Sequence, residues 1–144
     1  MGRAIFTVDT YEATVKTVDL RASGQDFTLW CFSDILNERG IRFQYQAFLS
    51  APADRKNSLI YQRKTSGQFD RRVICVLNVS DVQIDRIYRL VSTEHPVRMR
   101  IDYEGQDLLS TDSFSNFREV SKAQVFTGRE PAGEGEGRTL EFPE

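Results

Sequence analysis

The sequence predicts an α+β fold that consists mostly of antiparallel β-sheet, sandwich-like or barrel-like in form, with one main helix. Three observations support this prediction. About six to eight segments have the hydrophobic pattern of a strand, whereas a single segment has a strong helical pattern. That helical segment, at about 81–94, lies between two strands and forms a β-α-β unit with them. Gly and Glu dominate residues 128–144, which predicts an extended C-terminal tail.

A strand followed by a capped helix gives the strongest pattern in the chain. Residues 73–77 form a continuous apolar run, which is typical of a strand covered on both faces, so we expect a central strand over 72–79. Ser80 and Gln83 have the spacing of a capping box, in which both side chains bond backbone amides at the start of the helix. Pro96 disfavours helical geometry at the residue before it and ends the helix.

The helix and the strand after it each show one apolar face. In the helix, apolar residues recur at i, i+3, i+4 and i+7, namely Ile84, Ile87, Tyr88 and Val91. In the next segment Arg98, Arg100 and Asp102 alternate with apolar residues, which predicts a strand with one dry face and one polar face. If the strands on either side of the helix are parallel neighbours, the connection between them is right-handed.

The N-terminal part is interpreted as an arm followed by a hairpin. Residues 1–10 contain a short apolar patch and form either an arm or an edge strand. Residues 11–127 form a single domain, as expected for a chain of 144 residues. Within it, alternating apolar residues over 11–22 pair with those over 27–32 around a turn.

The middle of the chain predicts a short helical turn and two more strands. Residues 33–36 open the helical turn, which stops at Gly40 because glycine is a common C-terminal cap. Strict alternation over 41–49 predicts an amphipathic strand. Residues 58–63 form another strand, which a glycine-containing turn joins to the central strand.

The C-terminal part is less regular. Residues 108–109 are interpreted as a short strand that pairs back after a tight turn. Residues 110–127 are open between a helix and a closing strand, because both spacings are present. Residues 128–144 cannot bury enough apolar surface to offset the entropy of an ordered chain. Leu140 and Phe142 are unusual in such a tail and are interpreted as a short docking motif.

Charge and arginine content bear on the kind of partner. The formal net charge of −2 gives no reason to expect a general binder of polyanions. Arginine outnumbers lysine by 15 to 4. Arginine is enriched at protein interfaces, although a GC-rich genome produces the same bias.

The two cysteines, Cys31 and Cys75, both fall within apolar strands. We interpret them as buried free thiols in a reducing compartment, and leave open whether they are close in space or joined by a disulfide. The dry surroundings of Cys31 favour a core role over a nucleophile. The chain shows no signal-peptide pattern and no long apolar run, so we expect a protein of the cytoplasm or of an assembled particle, without a membrane partner.

No residue is predicted to be catalytic or to bind a metal or cofactor. His95 is the single histidine and stands at the end of the helix, where a structural role is favoured over that of a general acid or base. The acidic run at 102–107, with Asp112 nearby, lacks the bidentate acid that ends a calcium loop. The glycines of 133–137 alternate with glutamates, which would repel a phosphate.

The strand that follows the helix carries the best candidate for a binding surface. Arg98 and Arg100 share its polar face, and a solvated face on which they pair with Asp102 and Glu104 is favoured over a nucleic-acid site. Such a face also suits a protein partner, and the alternative is the phosphates of single-stranded nucleic acid. Other residues expected near such a surface are Arg71, Arg72, Trp30 and Tyr45.

These observations favour a non-enzymatic structural or interaction protein that forms homo-oligomers or joins a larger assembly. A virion or tail component is one concrete version, by analogy of fold alone. The terminal arms would contact neighbouring subunits, with Arg98, Arg100, Leu140 and Phe142 as the partner-binding residues. The alternative is a module that binds single-stranded nucleic acid or another small partner through the arginine-bearing face. A hydrolase centred on His95 is the third hypothesis.

Overall fold

A computed structural model describes residues 2–15, 27–51, 57–65, 67, 69–111, 114, 116–127 and 140–141 of the 144-residue chain. This part contains ten strands, one α-helix and one 3-10 helix. In chain order the strands are β1 (Gly2–Val8), β2 (Thr10–Val15), β3 (Phe27–Phe32), β4 (Leu36–Glu38), β5 (Ile41–Ala51), β6 (Leu59–Lys64), β7 (Arg71–Asn78), β8 (Val97–Tyr103), β9 (Arg118–Thr127) and β10 (Leu140–Glu141). The helix α1 spans Asp81–Thr93, and the 3-10 helix spans Leu108–Ser110.

The strands form one curled, mixed sheet with the shape of a half-barrel. Their order is β1-β8-β9-β6-β7-β5-β3-β2, with β10 added to β9 and β4 added to β5. Among the described strands, β5 and β7 are the one parallel pair. The predicted class, mostly β with one main helix, is therefore confirmed, whereas the sheet is mixed rather than purely antiparallel.

The two ends of the sheet are consecutive along the chain. β1 pairs with β8 at one end, β2 pairs with β3 at the other, and Asp9 alone separates β1 from β2. The Asp9 amide donates to the Phe32 carbonyl at 2.8 Å, and the Asp34 amide donates to the Asp9 carboxylate at 2.6 Å. These bonds fix the corner at which the chain passes from one end of the sheet to the other.

The central strand predicted over 72–79 is β7, which has β5 on one side and β6 on the other. Val73, Cys75 and Leu77 are buried on its inner face, and Ile74 is buried on the opposite face. The apolar run thus reflects a strand in the middle of the sheet whose inner face is buried and whose outer face, at Val76, is only partly covered.

Strand, helix and strand follow one another at β7, α1 and β8, but the two strands are not neighbours. β6 and β9 lie between them in the sheet. Each of the three intervening pairs is antiparallel, so β7 and β8 run in opposite directions. The condition for a right-handed parallel crossover is not met, because β6 and β9 occupy the position that a parallel neighbour would need.

The helix covers the inner side of the sheet and closes the core. Its predicted apolar stripe is confirmed: Ile84, Ile87 and Val91 are buried. Tyr88 is half-buried and packs edge-on against the rings of Tyr11, at 6.1 Å, and Phe27, at 5.6 Å. The stripe therefore faces β3 and β5, and Tyr88 reaches β2 at its margin, while the polar face of the helix points to solvent.

The predicted capping box at the start of α1 is also confirmed. Ser80 Oγ accepts from the Gln83 amide at 3.2 Å, and the Gln83 side chain accepts from the Ser80 amide at 3.0 Å. We expect Ser80→Ala to lower the free energy of unfolding by about 1 kcal/mol, because an orphan amide of the first turn loses its acceptor. Ser92→Ala, near the end of the same helix, should leave stability unchanged. Equal losses in urea titrations of the two variants would contradict this assignment.

The short helical turn predicted over 33–36 is wrong. This segment leads into β4, which pairs with β5 through a two-residue loop of Arg39 and Gly40. Both loop residues have positive φ, 53° and 78°, as a type I′ hairpin turn requires. Gly40 therefore closes a hairpin and does not cap a helix, since either structure needs a residue that accepts positive φ.

The strand predicted at 108–109 is also wrong, because Leu108–Ser110 forms the 3-10 helix. Asp107 caps it, with its carboxylate accepting from the Leu109 amide at 3.1 Å. The Tyr103 hydroxyl accepts from the Leu108 amide at 3.0 Å, and Leu108 itself is buried.

For residues 110–127 the structure favours the closing-strand alternative, which is β9.

The remaining strand predictions are confirmed where the chain is described. β2 and β3 form the predicted hairpin, β5 contains the alternating run over 41–49, and β6 contains most of 58–63. The N-terminal residues form β1 at the edge of the sheet. Parts of the predictions for 11–22 and 128–144 lie outside the described residues, since 16–26, 128–139 and 142–144 are not described.

Candidate functional site

The two cysteines are buried and unreactive in character. Both are free thiols, and each lies beside Ala47 on a neighbouring strand, so two strand spacings of about 5 Å separate them. A disulfide requires Cα atoms no more than about 7 Å apart, and this pair is therefore excluded. Burial raises the pKa of Cys31 to about 12 and raises the pKa of Cys75 as well. Both side chains serve the core.

His95 is exposed at the end of α1. In the described part of the chain, no hydrogen bond or ion pair joins it to a carboxylate.

The acidic run at 102–107 is divided between structural roles, because Asp102 pairs with arginines and Asp107 caps the 3-10 helix. Among the residues that the structure describes, no group of three or more potential metal ligands comes together. Asp112 lies outside them.

Arg100 lies on the outer face of β8 and takes part in an ion-pair cluster. Asp102 accepts from Arg3 Nε at 2.7 Å and from Arg100 Nη2 at 3.3 Å. Burial by itself raises the pKa of Asp102, but hydrogen bonds from the two guanidinium groups outweigh it and hold the pKa below its usual value. Arg100 thus stabilises a buried carboxylate in addition to facing outward.

Arg98 lies two residues away on the same face, where it lines a cleft of about 290 Å³. The other walls are formed by β1, Asp9 and the start of the β4 hairpin; their residues are Ile5, Phe6, Thr7, Asp9, Ser33 and Leu36. Small-molecule pockets typically occupy about 300–1,000 Å³, so this cleft is at the lower limit of that range.

The other arginines and aromatic residues singled out in the sequence do not form one surface. Arg71 turns inward, where Nη1 donates to the Gln62 side chain at 3.2 Å and the Thr111 carbonyl at 3.1 Å. Arg72 lies on the outer face, with its guanidinium 5.9 Å from the ring of Phe69. Tyr45 is buried and stacks on Phe6 at 4.9 Å. It is therefore not available to stack with a nucleic-acid base.

Trp30 belongs to an apolar patch on the outer face of the sheet that the sequence did not reveal as a unit. Cross-strand pairs join Trp30 to Phe48, Phe48 to Val76, and Val76 to Leu59 in one row across four strands. Further rings extend this row on the same face. We call the whole set the outer patch; its members are Trp30, Phe32, Phe48, Leu59, Tyr61, Val76 and Phe117.

The rings of the outer patch contact one another yet remain accessible. Trp30 stacks on Phe32 with centroids 5.6 Å apart, and meets Phe48 edge-on at 5.3 Å. Tyr61 lies 4.7 Å from Phe117. Trp30 is 37% exposed and Phe117 is 60% exposed. A contiguous apolar patch that stays partly accessible on a protein surface is a candidate interaction site.

Charged residues border the outer patch. Glu12 is opposite Trp30 at one end of the row, and Glu119 is opposite Leu59 at the other. Arg63 and Arg72 form a cross-strand pair four residues along their strands from Leu59 and Val76 respectively. Because four is an even number of residues, both side chains lie on the same outer face. An apolar centre with charged residues of both signs at its rim is the usual composition of a protein interface.

The outer patch was missed because its signal resembles that of a covered strand. β3 has the sequence FTLWCF, which is apolar on both faces and is typical of a strand buried on both sides. The structure covers one face with α1 and leaves the other open. The presence of Trp30 and Phe32 at alternate positions was a usable signal, but their neighbours on β5, β6 and β7 depend on strand pairing.

The tail residue Leu140 pairs with Val125 of β9, and Glu141 pairs with Gln124. Phe142 lies outside the described residues.

Within the described part, α1 is the longest helix, and no helix has the length and apolar character that crossing a bilayer requires. No protein-family model, curated protein or solved structure matches the chain.

Proposed function

We propose that this protein is a non-enzymatic interaction protein that assembles with copies of itself or with other protein subunits through the outer patch. The observation that supports the proposal is the accessible row of Trp30, Phe48, Val76 and Leu59, which crosses four strands of the sheet. A subunit of a larger particle, such as a virion or tail component, is one concrete version of this proposal.

Aromatic residues make such a surface effective. Tryptophan and tyrosine carry large apolar area and lose little conformational entropy on binding, so they dominate the binding energy of protein interfaces. Trp30 is packed against Phe32 and Phe48, so its ring is already held in place before a partner arrives. Pre-ordered side chains reduce the entropic cost of association.

The charged rim adds orientation. Glu12 and Glu119 stand at the two ends of the row, whereas Arg63 and Arg72 stand along one side of it. Rim charges of this kind influence the rate of encounter and exclude partners whose charges do not match.

Single-stranded nucleic acid is the second candidate partner, and one observation favours it. The stacked rings of Trp30 and Phe32, with Arg72 on the same face, resemble the platforms on which bases stack. Glu12 and Glu119 oppose this candidate, because they place carboxylates at both ends of the row, where phosphates would lie. We therefore rank it below a protein partner.

Trp30→Ser tests the proposal directly. We expect the wild-type chain to self-associate and the variant to do so at least about 30-fold more weakly, because a central tryptophan typically contributes 2 kcal/mol or more. Sedimentation velocity over a range of concentrations measures this change. Trp30 is the single tryptophan of the chain, so its emission should also shift to shorter wavelength as the wild type associates.

Val82→Ser is the matched control, since Val82 is an apolar residue of α1 that is 61% exposed and lies outside the outer patch. It should associate like the wild type. A wild-type chain that stays monomeric, with Trp30 emission independent of concentration, would contradict self-assembly. If the emission then responds to short oligonucleotides in a salt-dependent manner, the second candidate is favoured instead.

A further inference from the structure

The cleft beside Arg98 separates two strand edges. β1 uses one edge to pair with β8, and β4 uses one edge to pair with β5. Among the described residues, no strand pairs with the other edge of either one. The two strands diverge from the corner at Asp9, where the Asp34 amide is bound to the Asp9 carboxylate. The half-barrel is thus open along a wedge whose walls are β1 and the start of the β4 hairpin.

Both walls offer unpaired backbone groups and apolar side chains. In an antiparallel pair, alternate residues direct their amide and carbonyl groups away from the partner strand, so β1 presents such groups along its open edge. Ile5 is 51% exposed on one wall and Leu36 is 38% exposed on the other. Arg98 contributes a cation at the rim. These are the features of a groove that accepts an extended peptide as an added strand.

We propose that this cleft accepts residues 142–144 of a neighbouring copy of the chain. The segment reads Phe-Pro-Glu, so it combines one aromatic residue with a carboxylate. Phe142 would lie between Ile5 and Leu36, and Glu144 would pair with Arg98. The inference rests on the proposed function, because it requires copies of the chain to meet, but it concerns a surface separate from the outer patch.

The position of β10 shows why the donor is a second copy. β10 pairs with the edge of β9 that faces away from β8, so β9, β8 and β1 lie between β10 and the cleft. Four strand spacings of about 4.8 Å make roughly 19 Å across the sheet. Three residues span about 10 Å at most. A chain whose β10 is paired with its own β9 therefore cannot fill its own cleft.

A peptide of residues 138–144 provides the test. It is titrated into the full-length chain carrying Phe142→Ala, so that the chain's own segment does not compete. We expect saturable shifts of the amide NMR signals of Ile5, Thr7 and Leu36. A peptide with Phe142→Ala, and a protein that also carries Leu36→Asp, should each weaken binding about tenfold, as expected for loss of one apolar anchor. Val82→Asp in the same background is the control and should bind like the parent.

Two results would overturn the proposal: no saturable shift at millimolar peptide, or shifts confined to β9. The second would mean that the peptide replaces β10 and leaves the cleft empty. Failure of the outer patch is distinguishable, because Trp30→Ser would then leave self-association unchanged while peptide binding at the cleft persists. A chain that associates through Trp30 but does not bind the peptide loses the cleft proposal alone.

Discussion

Ile87→Ala is expected to lower the free energy of unfolding by about 2–5 kcal/mol. Ile87 is fully buried at the centre of the apolar stripe of α1, where the helix packs on the inner side of the sheet. Truncation removes apolar contacts and leaves a cavity that the surrounding strands cannot fill without moving. Urea titration followed by circular dichroism measures the change.

Val82→Ala is the matched variant on the same helix, because Val82 is 61% exposed. Its effect should stay within about 0.5 kcal/mol, as is usual for surface substitutions. Similar losses in both variants would show that α1 does not pack on the sheet through the stripe that contains Ile87.

Asp102→Asn is expected to lower the free energy of unfolding by about 1–3 kcal/mol at neutral pH. The side chain of Asp102 is only 8% exposed and accepts from two guanidinium groups. Without the carboxylate, the half-buried Arg100 keeps its charge and loses its counter-ion. The contribution of Arg3 is smaller, since its side chain is 52% exposed and solvent screens the pair.

The same residue sets a pH dependence with a definite sign. The pKa of Asp102 is lower in the folded state than its ordinary value of about 3.9. A lowered folded-state pKa stabilises the protein above the unfolded-state pKa, and this contribution is lost as the pH falls through the folded-state pKa. The difference in stability between wild type and Asp102→Asn should therefore be full at pH above about 4–5 and shrink below that.

Asp85→Asn is the control for this effect. Asp85 pairs with Arg89 at 3.2 Å on the surface of α1, where both side chains are more than half exposed. Surface pairs of this kind contribute about 0.3–0.5 kcal/mol, so the variant should differ little from wild type at any pH. An Asp102→Asn variant that behaves like Asp85→Asn would show that the cluster with Arg100 contributes nothing to stability.

Local signals were sufficient for the segment from β7 to β8. The apolar run of β7, the capping box at Ser80 and the alternation around Arg98 and Arg100 each lie within a short window of sequence. Such signals act through hydrogen bonds and side-chain periodicity that do not depend on distant residues. The structure accordingly confirms the central strand, the helix start and the dry face of β8.

Where a residue serves two structures equally well, the sequence could not decide. Gly40 accepts positive φ both in a helix cap and in a hairpin turn, and the presence of β5 beside β4 selects the turn. The same holds at Leu108 and Leu109, where the hydroxyl of Tyr103 and the carboxylate of Asp107 bond the amides of a 3-10 helix, and none of the described strands pairs with this segment.

The candidate site was predictable only in part. Arg98 and Arg100 were correctly placed on the polar face of their strand, but Arg100 is engaged with Asp102, and Tyr45 and Arg71 point into the molecule. The aromatic content of β3 and β5 was visible in the sequence. Its assembly into one accessible surface was not, because that depends on which strands pair and on which side the helix packs.

By itself, then, the sequence determined the class of the fold, the helix with its start and buried stripe, and most of the strands, because these follow from periodicity and capping over a few residues. The tertiary structure alone decided the mixed strand order, the corner at Asp9 that opens the cleft, and the outer patch around Trp30. These features arise from pairings between residues far apart in the chain, and a period-two pattern specifies the face of a strand but not its neighbour.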